Sequence, residues 1–223
     1  MNKTYDECGN LAEKNDLSNA EHFKFFGGGV NKTAYGINGS SWVVLAAPTS
    51  KERIVKAEVE QLLQLQKAGV DIPKIGEGKV FKGKLKNEER IVFLEENIQG
   101  FEINRPGTAF SLDNIKEFGS RVASFICDQK DFNTAKAMRN AALGSIEKLK
   151  TYFKEQDIPD FQVRLDFSSG KILTLDPGDP ENSENAREKH LGWVNEWHKI
   201  LDDKRYLTAT WNKTKAKIAQ TDW

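Results

Sequence analysis

Two stretches of the chain place chemistry-bearing residues close together. The first is "GGGVNKTAY", residues 27–35, in which Gly27, Gly28 and Gly29 are followed by Lys32. A turn without Cβ atoms lets backbone N–H groups approach an oxyanion, and a nearby ammonium adds charge. The bland alternative is an ordinary β-turn. A nucleotide-binding P-loop is excluded: Phe26 and Asn31 stand where it needs glycine, and a hairpin rather than a helix follows Thr33. The second stretch, "IPDFQVRLDFSSGKILTLDPGD", carries Asp160, Asp166 and Asp176 around one strand pair. Carboxylates can accept a hydroxyl proton or hold a hard cation. Cys8, Cys127, His22, His190 and His198 form no metal spacing, and two cysteines do not make a disulfide framework in so long a chain.

The elements that must position these groups follow from periodicity. Three short strands are predicted from "EHFKFF" to "WVVLAAP", with Asn38-Gly39 as a hairpin turn. "SKERIVKAEVEQLLQLQKAG" predicts a helix with Ile54, Ala57, Leu62 and Leu65 on one face and Gly69 as its stop. "DIPKIGEGKVF" and "ERIVFLEENI" predict two strands around the charged loop "KGKLKNEE", and Gly100 and Pro106-Gly107 punctuate the chain. Two helices follow, in "SLDNIKEFGSRVASFICDQ" and "NTAKAMRNAALGSIEKLKTYFKEQ". A hairpin turning at Ser168, Ser169 and Gly170 precedes a last helix around "AREKHLGWVNEWHKIL", where Trp193 and Trp197 share a face suited to core packing. The fold class is α+β in two lobes. The expected division is a flexible leader over 1–20, an N-lobe over about 21–100 and a C-lobe over about 101–223.

This order resembles a very small protein kinase, of the minimal effector and toxin type secreted by bacteria. Gly27 and Gly29 fall on the first two glycines of G-x-G-x-x-G-x-V, Lys32 on the third and Ala34 on the valine. The third strand has Ala46 or Ala47 where a kinase keeps its lysine. With-no-lysine kinases carry that lysine on the second strand in "K-T-V-Y", and residues 32–35 here read "K-T-A-Y". The resemblance therefore implies Lys32 as the phosphate-binding lysine, with Lys51 as the alternative, and Glu58 as its carboxylate partner, Glu60 facing elsewhere. Asp160 is preferred to Asp166 as the base, because a full hairpin fits between Asp160 and Asp176. Asp176 is then the metal aspartate, helped by Gln162, since Leu165 stands where the catalytic-loop asparagine is expected. Backbone near Glu95 and Glu96 is the expected adenine hinge.

What the resemblance implies is an ATP- and Mg²⁺-dependent serine/threonine protein kinase, a monomer made in a bacterial cytoplasm and delivered into another cell. Its target is a protein, and host proteins such as a chaperone are an expected class. The competing readings are a pseudokinase, an AMP-transferase on the same fold, and an antibiotic-type small-molecule kinase, for which few residues remain after Asp176. Lysine plus arginine and aspartate plus glutamate each number 33. That balance argues against a nucleic-acid or anionic-membrane binder. No apolar run approaches the ~18 residues of a membrane span.

Overall fold

The computed structural model describes residues 3–29, 31–102, 112–158, 161–175, 177, 187–214 and 223. The fold is α+β and divides into two compact units, Met1–Leu65 with Ile72–Ile98, and Gln66–Asp71 with Gln99–Trp223.

The first unit is built on a five-stranded antiparallel sheet in the order β1-β2-β3-β5-β4. Its strands are β1 (Phe23–Gly28), β2 (Thr33–Ile37), β3 (Trp42–Pro48), β4 (Phe81–Leu85) and β5 (Glu88–Glu96). Helices α1 (Tyr5–Lys14) and α2 (Glu52–Lys67) supply the rest. Because strand side chains alternate between faces, β3 and β5 feed two cores. Val44, Ala46, Val92 and Leu94 pack with Cys8 and Ala12 of α1 and with Leu17. Leu45, Ala47, Ile91 and Phe93 pack with Val55 and Val59 of α2.

Three expectations are corrected in this unit. The expected flexible leader is structured from Thr4 to Leu17: Thr4 and Glu7 form a reciprocal capping box that starts α1, and Cys8, Ala12 and Leu17 are buried. The buried stripe of α2 is Val55, Glu58, Val59, Leu62 and Leu65 rather than one through Ile54 and Ala57, which are half-buried. Finally, β4 runs through most of the expected charged loop. Lys86 and Asn87 alone make the turn, both with positive φ, and Asp16 accepts their N–H groups at 2.9 and 2.7 Å. Two left-handed residues are what a two-residue hairpin of native twist requires.

The second unit holds helices α3 (Leu112–Cys127), α4 (Phe132–Tyr152), α5 (Arg187–Asp202) and α6 (Lys204–Thr214). It also holds an antiparallel sheet of β6 (Gly100–Glu102), β7 (Val163–Asp166) and β8 (Ile172–Thr174). Gly100, read as punctuation, lies in β6, where a Cβ would fall on the Leu165 carbonyl of the neighbouring strand. Trp193 and Trp197 are both buried, and the Trp197 indole donates to the Ile115 carbonyl at 3.0 Å. Arg139, buried on α4, donates to the Leu201 carbonyl at 2.7 Å and to Asp202 at 3.0 Å, satisfying the carbonyl end of α5. The segment before Ile72 is held to this unit by Asp71. Its carboxylate accepts from Ser145 at 2.8 Å and Lys148 at 2.9 Å, and its carbonyl accepts from Thr174 at 2.9 Å.

Candidate functional site

The glycine hairpin joins β1 to β2, with Gly28 opposite Thr33 and Gly27 opposite Ala34. None of the three glycines is required by the chain itself. None has positive φ, a Cβ on Gly27 would meet nothing within 4 Å, and on Gly28 and Gly29 the nearest atoms lie at 3.7 and 3.8 Å. Glycine in a strand sacrifices about 0.5–1 kcal/mol relative to alanine. Three in succession without an internal reason leave a bare strand end open to an approaching group. One donor is nevertheless spent: the Gly29 N–H bonds the Lys32 carbonyl at 2.8 Å, so Gly29 does not offer its amide to a ligand in this structure.

Lys32 immediately precedes β2. The β2–β3 ladder pairs Thr33 with Ala46, so Lys32 stands one step further along, beside Ala47 across the two strands. Alternation separates the two alanines. Ala46 belongs to the α1 side and Ala47 to the α2 side, and Lys32 shares the α2 side with Ala47. Its ammonium forms an ion pair with Glu58 and lies 5.7 Å from the centre of the Phe93 ring. The two side chains are 13% and 4% exposed. A pair so desolvated contributes little net stability, which makes its presence a pointer to function rather than to folding. Glu60 is exposed, and Lys51 sits half-buried in the helical turn that leads into α2.

Glu95 and Glu96 end β5, opposite Val43 and Trp42. The Glu96 N–H donates to the Lys74 carbonyl at 2.7 Å, and its carboxylate receives the Lys74 ammonium at 2.9 Å. That amide is therefore occupied and cannot also serve an adenine ring.

In the second unit, the hairpin of β7 and β8 has the alternation expected of it. Val163 and Leu165 are buried on one strand, Ile172 and Thr174 on the other. Asp166, the rejected base, is 8% exposed, and its carboxylate serves its own turn. It accepts from the Ser168 amide at 3.0 Å and from the Ser168 and Ser169 hydroxyls at 2.8 and 2.6 Å. Burial raises its pKa, but these donors outweigh it and hold the carboxyl below its ordinary value. A carboxylate so committed is a poor base. The Gln162 carbonyl accepts the Leu175 N–H at 3.0 Å, which fixes the backbone of that residue at the base of the hairpin. Asp160 and Asp176 lie outside the described residues. Among the described residues no group of three His, Cys, Asp or Glu side chains could hold a metal ion.

One further group is beyond sequence reasoning: the pair of His190 and Asp157, at 2.9 Å, whose members are 33 residues apart with no motif to join them. The Phe93 ring beside Lys32 was accessible in principle, from the alternation of "IVFLEE".

No protein-family model matches the chain, and no curated protein matches it. Among solved structures the chain is similar to the GDP and kanamycin complex of APH(2″)-IIia, at 16% identity over 86% of this chain and 78% of that one, with a TM-score of 0.35. It is similar to a microcompartment-associated aminopropanol kinase at 13% identity, over 96% and 81% of the two chains, with a TM-score of 0.37. A third likeness is to an aminoglycoside-3′-phosphotransferase of type VIII, at 14% identity, 90% of each chain and a TM-score of 0.35. Likenesses this distant assign no residue role. No helix among the described residues is long and apolar enough to cross a membrane.

Proposed function

We propose that the chain is an ATP- and Mg²⁺-dependent phosphotransferase that moves the γ-phosphoryl group to a serine or threonine hydroxyl of another protein. The observation that carries this reading is the buried Lys32–Glu58 pair beside a glycine hairpin whose glycines the fold does not need.

In this reading Glu58 fixes the Lys32 ammonium, and Lys32 holds the phosphates together with the backbone of Gly27 and Gly28. Lysine suits the task as a compact charge, and a carboxylate partner removes the freedom of its long stem. Asp176 and Gln162 would hold Mg²⁺, which supplies positive charge to the phosphate oxygens when bound. Asp160 would orient the acceptor hydroxyl and take its proton. A bond then forms between the acceptor oxygen and the γ-phosphorus, the bond to the β-phosphate oxygen breaks, and ADP leaves. Catalysis of this kind is mostly positioning and charge. Export into a host or rival cell, and a chaperone-like target, belong to the same reading through the resemblance alone.

The test is transfer from γ-labelled ATP with Mg²⁺, to the protein itself and to bacterial and eukaryotic lysates. Asp160→Ala, Asp176→Ala and Lys32→Ala run in parallel. The expected outcome is labelled protein with the wild type and loss of label by about 10²-fold or more in each variant. A gain of AMP in intact mass would replace the reaction with nucleotidyl transfer. Label on kanamycin or aminopropanol, and on no protein, would overturn the protein acceptor. Nucleotide binding with no transfer to any acceptor would leave a pseudokinase.

A further inference from the structure

Helices α3 and α5 run side by side in the same direction. The Ile115 carbonyl receives the Trp197 indole, and one turn further on a Cβ at Gly119 would come within 2.8 Å of the Ile200 side chain. Their seam opens to the surface as two depressions. One, of about 430 Å³, is lined by Lys116 of α3 and by Lys189, Gly192, Trp193 and Glu196 of α5. The other, of about 250 Å³, is lined by Ser120, Lys199, Ile200, Asp203 and Tyr206. The α5 positions 189, 192, 196 and 199 recur at helical spacing, so both depressions belong to one groove. From Lys189 to Asp203 it runs about 20 Å, the reach of roughly six residues of extended chain.

Gly192 has no structural duty in α5. A Cβ there would meet nothing within 4 Å, and alanine would make a more stable helix. Its bare backbone keeps the larger depression open. The acidic groups of the groove are already engaged. Glu196 takes the Lys199 ammonium, and Asp203 accepts the N–H groups of Arg205 and Tyr206 at 2.9 and 3.0 Å. The lysines at the other end are placed differently. The Lys189 ammonium lies 5.2 Å from the centre of the Trp193 ring. Lys116 is exposed, and its ammonium makes no ion pair or hydrogen bond among the described residues. One depression thus presents positive charge beside an indole, and the other presents Ile200 with the exposed ring of Tyr206.

We propose that this groove docks an extended segment of the acceptor protein, with acidic side chains at the Lys116–Lys189 end and a large apolar one beside Ile200 and Tyr206. Charge selects the segment, and the apolar depression gives it hold. The inference rests on the phosphotransferase reading for the docked protein being the acceptor, and on geometry alone for the groove. Docking of this kind lowers KM for a protein acceptor and leaves KM for ATP unchanged.

The probes are fluorescein-labelled peptides of about ten residues, with glutamates at one end and a phenylalanine at the other, made in both orders. Matching peptides carry lysines for the glutamates. Binding to the full-length protein is followed by anisotropy without nucleotide, for the wild type, Lys116→Glu and Gly192→Leu. An acidic peptide is expected to bind, to weaken about tenfold or more in each variant, and to weaken as salt is raised. The lysine peptides do not bind. In transfer from γ-labelled ATP, KM for a protein acceptor rises about tenfold in both variants, and KM for ATP stays within about twofold.

Equal binding of the lysine peptides, binding that neither variant weakens, or no binding of any peptide overturns the proposal. So does a dimer in sedimentation that Gly192→Leu abolishes, since a second copy would then cover the groove. Should Gly192→Leu fail to fold, Gly192→Gln carries the same comparison. A wild type that binds the acidic peptide and labels no protein defeats the phosphotransferase reading and leaves the groove. One that labels protein and binds no peptide does the reverse.

Discussion

In the proposed reading, the Lys32–Glu58 pair is where stability and function separate most sharply. Removing one member of a buried ion pair leaves an uncompensated charge and costs about 3–5 kcal/mol, whereas replacing both with apolar residues is often neutral or stabilising by about 1–4 kcal/mol. With Glu58 4% exposed, Lys32→Met should destabilise by about 3 kcal/mol in urea unfolding. Adding Glu58→Leu should restore stability to within about 1 kcal/mol of wild type or beyond. Phosphate transfer should be lost in both. A double variant that is stable and still transfers phosphate would remove Lys32 from the site. Both partners were legible in sequence, Lys32 from "K-T-A-Y" and Glu58 from its place on a predicted helix. The Asp157–His190 bond was not, because proximity between residues so far apart along the chain is a product of the finished fold. The two cysteines make a second residue-scale case. Burial pushes Cys127 up to about 12, with the Asp128 charge adding to it, and raises Cys8 as well. Neither thiol should react with a disulfide reagent at pH 8 in the native protein, and both should in urea. Rapid native labelling of either would contradict the packing.

At the scale of elements, periodic segments were readable and short or polar ones were not. β1 to β3, β5, α2 to α5 and the β7–β8 hairpin carry enough alternation or helical spacing to announce themselves. β6 has three residues, too few for any pattern, and exists because Gly100 lets its backbone lie against Leu165. α6 lies beyond the last predicted helix, which ends at Leu201, and its polar sequence carries no helical signal of its own. α1 is the instructive miss. Its capping box, Thr4 and Glu7, is visible in the sequence, but the helix offers only Tyr5, Cys8, Leu11 and Ala12 to the core and reads as a polar leader. Burial against a sheet face supplies the stability that its own composition lacks. Deleting residues 1–15 should therefore uncover Val44, Ala46, Val92 and Leu94, producing dye binding typical of exposed apolar surface and loss of the cooperative melt. Thr4→Ala, which removes the cap alone, should cost about 1 kcal/mol in a thermal or urea melt. A truncated chain that melts like the full one would make α1 an ornament rather than part of the core.

For the molecule as a whole, charge decides the response to acid. The formal net charge is zero at pH 7, the 33 acidic residues balancing the 33 basic ones. Each unit contains carboxylates that the native state keeps ionised. Burial raises the pKa of Asp16, but the amides of Asn87, Ser18 and Lys86 with the Ser18 hydroxyl hold it well below the ordinary range. Asp71 is likewise raised by burial and lowered further by Lys148, Ser145 and Lys171, with a net fall. Asp166 behaves in the same way within its turn. A carboxyl whose folded pKa lies below its unfolded value, about 3.9, contributes stability that is complete above that value. The contribution is lost as pH falls through the folded pKa. The urea midpoint should thus change little on these groups' account between pH 7 and 5, and should fall between pH 4 and 2. Protonation also leaves the lysines and arginines unbalanced, so self-repulsion acts in the same direction. Asp71→Asn separates the two causes. It changes the net charge by one unit, a small part of the whole-molecule repulsion, but abolishes one specific linkage. Its midpoint should lie below wild type at pH 6 and converge with it once pH has fallen below the folded pKa of Asp71, where the wild-type carboxyl is itself neutral. A gap of constant size across that range would mean that Asp71 stabilises through hydrogen bonds indifferent to charge, and that acid unfolding is driven by repulsion instead.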